Sequence, residues 1–392
     1  MKTKIKNIVD SIFEDIVAWR EHIHSHPELS FKEESTAKFV SSKLIEFGIS
    51  RPYRMAKTGV VALIEGRNPE SKCIALRADL DALPISEENE VPYKSKVDGC
   101  MHACGHDVHT ACLLGAAKVL QSLRNQFNGT IKLIFQPGEE LLPGGASLLI
   151  DEGVLDNPKV DNILALHVLP SLNVGFLGFR PGLYMASCDE MYLNVIGKGG
   201  HAALPSKYLN PIPLMSELLL KLNNFVKTES NGSSYIFVFG DLHADGATNI
   251  IPEKIVAKGT FRTFDESWRT QMHIKLESFV DQFLHDKGFQ GALKIVKGYP
   301  FLNNDKNFTN QCNEFAKDYL GKEMVQEIDV RMTAEDFSFY SQKVPACFFR
   351  LGVGNKSKGI IYDVHNPNFD IDKRALGIGA GIMAYLAIKS LD

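Results

Sequence analysis

Two consecutive stretches decide the fold: HTACLLGAAKVLQSLRNQF (residues 109–127) and TIKLIFQPGEE (residues 130–140). The first has the apolar spacing of a buried helix. The second is a short apolar strand that runs into a Pro-Gly turn and two carboxylates, Glu139 and Glu140. A helix followed at once by an apolar strand is typical of an α/β sheet whose strands are buried on both faces.

The same alternation of apolar strands and helices extends over much of the chain. The predicted strands include VVALIEG (60–66), KCIALRA (72–78), NILALHV (162–168) and PACFFRLGVG (345–354), and the chain ends in an apolar helix over residues 374–391. Apolar strands that alternate with helices predict an α/β fold with a mostly parallel sheet and helices on both of its faces.

The pattern changes between residues 186 and 298. Here the order of predicted elements is β-α-β-β-α-β, which is the split arrangement of ferredoxin-like domains. The sequence therefore predicts one α/β domain, formed by residues 1–185 and 299–392, that is interrupted by a compact inserted domain over residues 186–298.

Composition and charge exclude several classes of protein. The chain has 392 residues, a formal net charge of −4 and 44% apolar residues, so no basic surface favours nucleic acid or an anionic membrane. No apolar run approaches the roughly 20 residues of a membrane span. Seven cysteines are an odd number spread over a long chain, which argues against a disulfide framework and favours the reducing cytoplasm.

Polar residues cluster where predicted strands end. Glu139 and Glu140 follow one strand, His167 ends a second, and Asp79 and Asp81 follow a third. Ligands of open α/β sheets bind beyond the carboxyl ends of the strands. Side chains from distant parts of the sequence are therefore expected to meet at one rim of the sheet.

The stretch DGCMHACGHDVHTAC (residues 98–112) contributes to this rim. Its spacing fits a closed zinc finger poorly, because Cys104 and His106 are separated by one residue and no matching second pair follows. An open metal site would use both residues together with the carboxylates, with His167, and with His365, which lies in a loop near the C-terminus. A thiolate, imidazoles and carboxylates together suit zinc, with manganese or cobalt as alternatives.

Two other classes of function remain open at this point. Cys104 and His106 could form a nucleophile and its base in a cysteine hydrolase. The cluster could also belong to a metal-binding protein without catalysis. Such a protein needs metal ligands but no general base for a reaction.

Five motifs occur in an order that resembles the M20 metallopeptidase family: MHACGHDVH, QPGEE, LHVLP, GKGGHAALP and HNPNFD. The most similar branch is that of aminoacylase and hippurate hydrolase-like amidohydrolases, which includes auxin-conjugate hydrolases and N-acetyldiaminopimelate deacetylases. The resemblance covers nearly the whole chain. It implies a catalytic α/β domain with an inserted ferredoxin-like lid that often serves in dimerisation.

The resemblance also implies roles for individual residues. The implied ligands of two divalent metal ions are Cys104, His106, Glu140, His167 and His365. Glu139 matches the general base, and Asp81 matches an acid that supports the metal site. His201 matches a catalytic lid histidine, and Asn249 and Arg262 match lid residues that hold the substrate.

The implied reaction is metal-dependent hydrolysis of an N-acyl-L-amino acid, such as a hippurate-like or N-acetyl compound, to a carboxylate and a free amino acid. A dipeptidase or carboxypeptidase with the same two-metal centre and an N-acetyldiaminopimelate deacetylase are the alternatives. The implied partners are a small-molecule substrate and a second copy of the chain, as a homodimer or higher homo-oligomer. The sequence leaves open the acyl group, the native metal and the roles of Cys100, His102 and His109.

Overall fold

A computed structural model describes all 392 residues. The strands are β1 (Tyr53–Met55), β2 (Gly59–Glu65), β3 (Cys73–Asp79), β4 (Thr130–Gln136), β5 (Asn162–Asn173), β6 (Leu177–Phe179), β7 (Gly182–Met185), β8 (Asp189–Ile196), β9 (Gly200–His201), β10 (Tyr235–Ala244), β11 (Ile250–Ile251), β12 (Lys254–Thr263), β13 (Gln290–Lys297), β14 (Leu302–Asn304), β15 (Val325–Glu327) and β16 (Ala346–Gly354). The helices are α1 (Lys2–Ser11), α2 (Phe13–Ser25), α3 (Glu34–Glu46), α4 (His106–Ser122), α5 (Gly145–Asp151), α6 (Pro211–Glu229), α7 (Glu266–Asp286), α8 (Lys306–Leu320), α9 (Ser338–Ser341) and α10 (Arg374–Leu391).

The chain divides into two compact units. The first comprises Met1–Tyr184, Asn303–Val330 and Asp336–Asp392, and the second comprises Met185–Leu302 and Arg331–Glu335. The second unit thus includes a short segment from late in the chain, which the sequence prediction places in the α/β domain. The chain leaves and re-enters the first unit close to a two-stranded ribbon of β7 and β14.

The first unit is built on an eight-stranded sheet in the order β1-β2-β4-β3-β5-β16-β6-β15. The central strands β4, β3, β5 and β16 are mutually parallel. Antiparallel pairs join β1 to β2, β2 to β4 and β6 to β16. The predicted α/β class with a mostly parallel sheet is confirmed, and the carboxyl ends of the central strands lie at one edge.

The first unit has one large apolar core. Helices α4 and α10 pack against each other and against β3 and β5. The central strands are buried along their length, which explains their continuous apolar sequence: β3 and β4 have no exposed residue. Helix α10 has the length and composition of a membrane span, at 18 residues with a mean hydropathy of 1.2, but 78% of it is buried within the protein. A core helix has the same composition.

One predicted strand end is wrong. Strand β5 does not end at His167 but continues to Asn173. Its pairing with β3 stops at Ala165, whereas its parallel pairing with β16 continues, with Arg350 opposite His167. Pairing with β16 therefore extends β5 past the point where its pairing with β3 stops. His167 lies within β5, just after that point.

The second unit contains a four-stranded antiparallel sheet in the order β10-β12-β8-β13. With α6 and α7, its chain order is the β-α-β-β-α-β order predicted from the sequence. The apolar faces of both helices and the alternate residues of β8, Met191, Leu193 and Val195, form a separate core. A short ribbon of β9 and β11 completes the unit.

Candidate metal centre

Asp81, just beyond β3, connects several parts of the candidate site. Its carboxylate accepts hydrogen bonds from the main-chain N–H groups of Glu139 (3.1 Å) and Glu140 (2.9 Å) and from the hydroxyl of Ser30 (2.6 Å). Burial alone would raise the pKa of Asp81, but His106 and the bonds from Ser30 and from the N–H of Glu140 lower it below its ordinary value. Asp81 is therefore an ionised anchor for the turn that carries both glutamates.

The turn after β4 needs the glycine that the sequence places there. Gly138 has a φ of +60°, and a Cβ at this position would lie 2.4 Å from the ring of Phe31. Its N–H donates to the buried carboxylate of Glu33 at 2.8 Å. The tight turn leaves Glu139 nearly buried, at 7% exposure, and Glu140 half-buried.

A second glycine places the thiol and the first imidazole. Gly105 precedes α4 with a φ of +83°, and a Cβ there would lie 2.6 Å from the side chain of Val168. This backbone puts Cys104 before the helix and His106 in its first turn. The sulfur of Cys104 lies 3.6 Å from Nε2 of His167, which arrives from β5.

Two of the imidazoles are oriented by hydrogen bonds to backbone oxygens. Nδ1–H of His106 donates to the carbonyl oxygen of Asp81 at 2.8 Å, and Nδ1–H of His167 donates to the carbonyl oxygen of Val168 at 2.8 Å. In the neutral form of each ring these bonds leave Nε2 without a proton and free to bind a metal, which is how metal-binding histidines are commonly oriented. Nε2 of His106 is buried and has no hydrogen-bond partner.

The fifth predicted ligand, His365, comes from a loop. Its φ is +65°, and its N–H donates to the carbonyl oxygen of Ala103 at 2.7 Å, which holds the loop beside the site. Its Nε2 lies 3.2 Å from Oε1 of Glu140. Apart from this ion pair, that buried oxygen has no hydrogen-bond partner.

The five residues form two overlapping groups that fit a metal. One group is Cys104, His106 and His167, and the other is Cys104, Glu140 and His365; within each, the ligand atoms lie within 4.8 Å of one another. Cys104 is common to both groups. The orphaned buried atoms of His106 and Glu140 and the mixed thiol, imidazole and carboxylate chemistry fit divalent zinc well.

The electrostatics of this cluster favour a bound cation. Proximity to the thiol of Cys104 and the carboxylate of Glu140 raises the pKa of His365 to about 10. Burial opposes the charged form of His106, yet Asp79 and Cys104 raise its pKa well above the ordinary value. The groups around His106 and His365 therefore favour positive charge, which a divalent ion supplies while the ligands lose their protons. Burial and the nearby Arg350 instead lower the pKa of His167, which favours the neutral ring that binds a metal.

A buried network behind the cluster is absent from the sequence prediction. Arg77 donates to Asp79 (2.6 Å), and Asp79 accepts from Nδ1–H of His109 (2.6 Å). Nε2 of His109 in turn accepts the N–H of Val168 at 3.0 Å, next to the candidate ligand His167. The signal was visible as Arg77 and Asp79 within an otherwise apolar strand, where a charge needs a buried partner.

The open questions in the stretch 98–112 are partly answered. His109 is a positioning residue in this network, and Cys112 is a core residue of α4. Cys100 is buried outside both groups of candidate ligands, and burial raises the pKa of its thiol to about 11. His102 is buried with neither ring nitrogen hydrogen-bonded, and burial lowers its pKa to about 4, so the ring is neutral.

The remaining predicted residues belong to the second unit. His201 on β9 is exposed, and its Nδ1 accepts the N–H of Ala203 at 3.1 Å. Asn249 lies beside it, because its carbonyl oxygen accepts the N–H of Ala202 at 3.0 Å. Arg262 is half-buried on β12 and donates to the carbonyl oxygen of Met332 at 3.1 Å.

Several known proteins are similar to this chain over most of its length. Over 312 residues, the chain is 39% identical to the N-acyl-L-amino acid amidohydrolase of Geobacillus stearothermophilus. This alignment covers 78% of this chain and 82% of that protein. It is 37% identical over 386 residues to the N-acetyl-L-cysteine deacetylase of Bacillus subtilis (strain 168), with 98% and 89% covered. A Bacillus subtilis crystal structure, described as a dinuclear metal binding peptidase from the M20 family, matches with a TM-score of 0.80 at 32% identity and covers 97% of this chain and 99% of that one.

The fold, the cluster and these relatives define a hydrolase that acts on amide bonds. The chain belongs to the peptidase family M20/M25/M40, whose sequence model matches residues 75–389. The resemblance stated from the sequence motifs is confirmed.

Proposed function

We propose that this protein is a metal-dependent amidohydrolase that cleaves N-acyl-L-amino acids to a carboxylate and a free amino acid. The observation that carries the proposal is the pair of ligand groups that share Cys104, with Glu139 beside them. The identity to an N-acyl-L-amino acid amidohydrolase and to an N-acetyl-L-cysteine deacetylase supports this substrate class.

The five predicted ligands would hold two divalent ions, with zinc favoured by the thiol. When bound, such ions polarise a carbonyl group and make water acidic near neutral pH. Glu139 is the general base in this proposal: its carboxylate takes a proton from the attacking water and returns it to the leaving amine. Its own position in the turn after β4 is fixed by Asp81.

Three residues of the second unit are assigned to the substrate. Because Nδ1 of His201 accepts the N–H of Ala203, the ring carries its proton on Nε2, and this Nε2–H is proposed to donate to the developing oxyanion. Arg262 is proposed to bind the free carboxylate of the amino acid by paired charged hydrogen bonds, which lysine would not reproduce. Asn249 is proposed to hold the amide group.

A substrate panel tests this function. Purified protein loaded with zinc, manganese or cobalt would be assayed for free amino acid release from N-acetyl, N-benzoyl and longer N-acyl amino acids, with dipeptides as the comparison. We expect the highest kcat/KM on an N-acyl amino acid, and a chelator should abolish it. Preferred cleavage of dipeptides would instead establish a dipeptidase, and release only from N-acetyldiaminopimelate would establish that deacetylase.

The structure weighs against the alternative of a cysteine nucleophile. Burial and the nearby Glu140 raise the pKa of the Cys104 thiol above its ordinary value. Reactive cysteines occupy partly exposed surroundings that lower the thiol pKa. Activity that resists a chelator but is lost to a thiol reagent would restore that alternative.

We also propose that the protein forms a homodimer through the second unit. Strand β10 is an edge strand that pairs only with β12, and it exposes Val238 (47%) and Leu242 (54%). The unpaired N–H and C=O groups of an edge strand can form hydrogen bonds with a strand of a second chain. Sedimentation should give twice the 43.6 kDa chain mass, and Val238→Lys should give the single mass. A wild-type monomer at micromolar concentration would contradict the proposal.

A further inference from the structure

Arg77 is a fully buried cation that joins two carboxylates from distant parts of the sequence. Its guanidinium donates to Asp79 at 2.6 Å and to Asp336 at 2.8 Å. Asp336 lies 259 residues after Arg77 in the sequence. The Nε–H of Arg77 donates to the side-chain oxygen of Gln136 at 3.0 Å. All four side chains have no exposed surface. A buried guanidinium needs at least one carboxylate partner and satisfied hydrogen bonds.

The carboxylate of Asp336 is held from three elements of the first unit. It accepts bonds from Arg77 on β3, from the amide of Gln136 at the end of β4 (2.7 and 2.8 Å), and from the N–H of Ala146 in α5 (2.9 Å). Bonds from three directions define the position and orientation of Asp336, and with it the direction of its own main-chain N–H.

That N–H is directed at the proposed base. It donates to Oε1 of Glu139 at 3.3 Å. The main chain of Glu139 is meanwhile held by Asp81, which accepts the Glu139 N–H at 3.1 Å. Two buried acids thus hold Glu139 at different places: Asp81 holds its backbone, and Asp336 holds its carboxylate.

We propose that Asp336 is a positioning residue for catalysis, and that it orients the Glu139 carboxylate through a main-chain N–H fixed by the Arg77–Gln136–Asp336 network. The inference rests on the proposed function only in taking Glu139 as the general base. A base on a turn has rotational freedom that proton transfer does not tolerate, since small misplacements of a reacting group cost large factors in rate. An N–H donor on one carboxylate oxygen restricts that rotation.

The test is Asp336→Asn, assayed on whichever amide substrate the wild type cleaves best. Arg77 remains paired with Asp79 in this variant, so its charge stays balanced. We expect kcat to fall about 10-fold or more because the network loosens, while KM changes by less than about twofold and the bound metal per chain is unchanged.

Asp189→Asn is the matched control. Asp189 is also a fully buried carboxylate, held by a buried arginine, Arg269, and by the main-chain N–H of Gly298, but it lies in the second unit. Both variants should lose thermal stability, and only Asp336→Asn should show the selective fall in kcat. If Asp336→Asn does not fold, Gln136→Met provides the same test, because it removes two bonds to the Asp336 carboxylate and the bond from Nε–H of Arg77, but no charge.

A double-variant cycle with Glu139→Gln separates the possible roles. If Asp336 acts through Glu139, adding Asp336→Asn to Glu139→Gln should lower the residual kcat by less than about twofold. Independent losses that multiply, a rise in KM at unchanged kcat, or loss of metal would each overturn the positioning role. Preference of the wild type for dipeptides would overturn the substrate proposal alone, because Glu139 serves both reactions.

Discussion

Glu139→Gln is expected to lose turnover by about 10²- to 10⁴-fold, the usual contribution of a general base, and to keep its metal. The amide has nearly the same shape as the carboxylate but cannot take a proton from water. The bond from the Glu139 N–H to Asp81 involves only the backbone and should persist. Initial rates on the best substrate and metal content by plasma emission measure the two outcomes.

Glu140→Gln is the comparison that makes this result specific. The two glutamates are neighbours in one turn, and the backbone of each is held by Asp81, yet Oε1 of Glu140 is the one that faces His365. Glu140→Gln should therefore lose metal, whereas Glu139→Gln should not. Activity near the wild-type level in Glu139→Gln would remove Glu139 from the role of base.

Cys104→Ala is expected to have the largest effect on metal binding and to weaken the metal affinity at least about 10-fold. Substituting residues that only orient the metal ligands already weakens metal binding by about 10- to 100-fold, and loss of a ligand should cost no less. Its sulfur is the one atom shared by both groups of candidate ligands. Loss of the thiol should therefore affect both ions rather than one. Metal content after dialysis against defined zinc concentrations, read by plasma emission, gives the result.

Cys112→Ala is the control for this substitution. Both cysteines are buried, and both lie within or beside the start of α4, but Cys112 faces the core and its sulfur lies 3.6 Å from the carbonyl oxygen of Leu376. Its loss should affect stability and leave metal content unchanged. Equal metal content in the wild type, Cys104→Ala and Cys112→Ala would show that Cys104 is not a ligand.

The elements of this fold could be predicted because their signals are local. Buried parallel strands such as β3 and β4 are continuously apolar, and helix α4 has helical apolar spacing, so each can be identified without knowledge of its neighbours. The end of β5 could not be predicted in this way. Its continuation past His167 depends on pairing with β16, whose residues lie far away in the sequence.

The motifs and their order could be identified from the amino-acid sequence alone, and their resemblance to the M20 family implied the candidate ligands and the proposed base. How these residues are supported could be learned only from the folded chain. Which nitrogen of His106 points inward depends on a backbone oxygen of Asp81, and what aligns Glu139 depends on Asp336, 197 residues away. Hydrogen bonds and ion pairs depend on distance in space, and a linear pattern does not contain the contacts that folding creates.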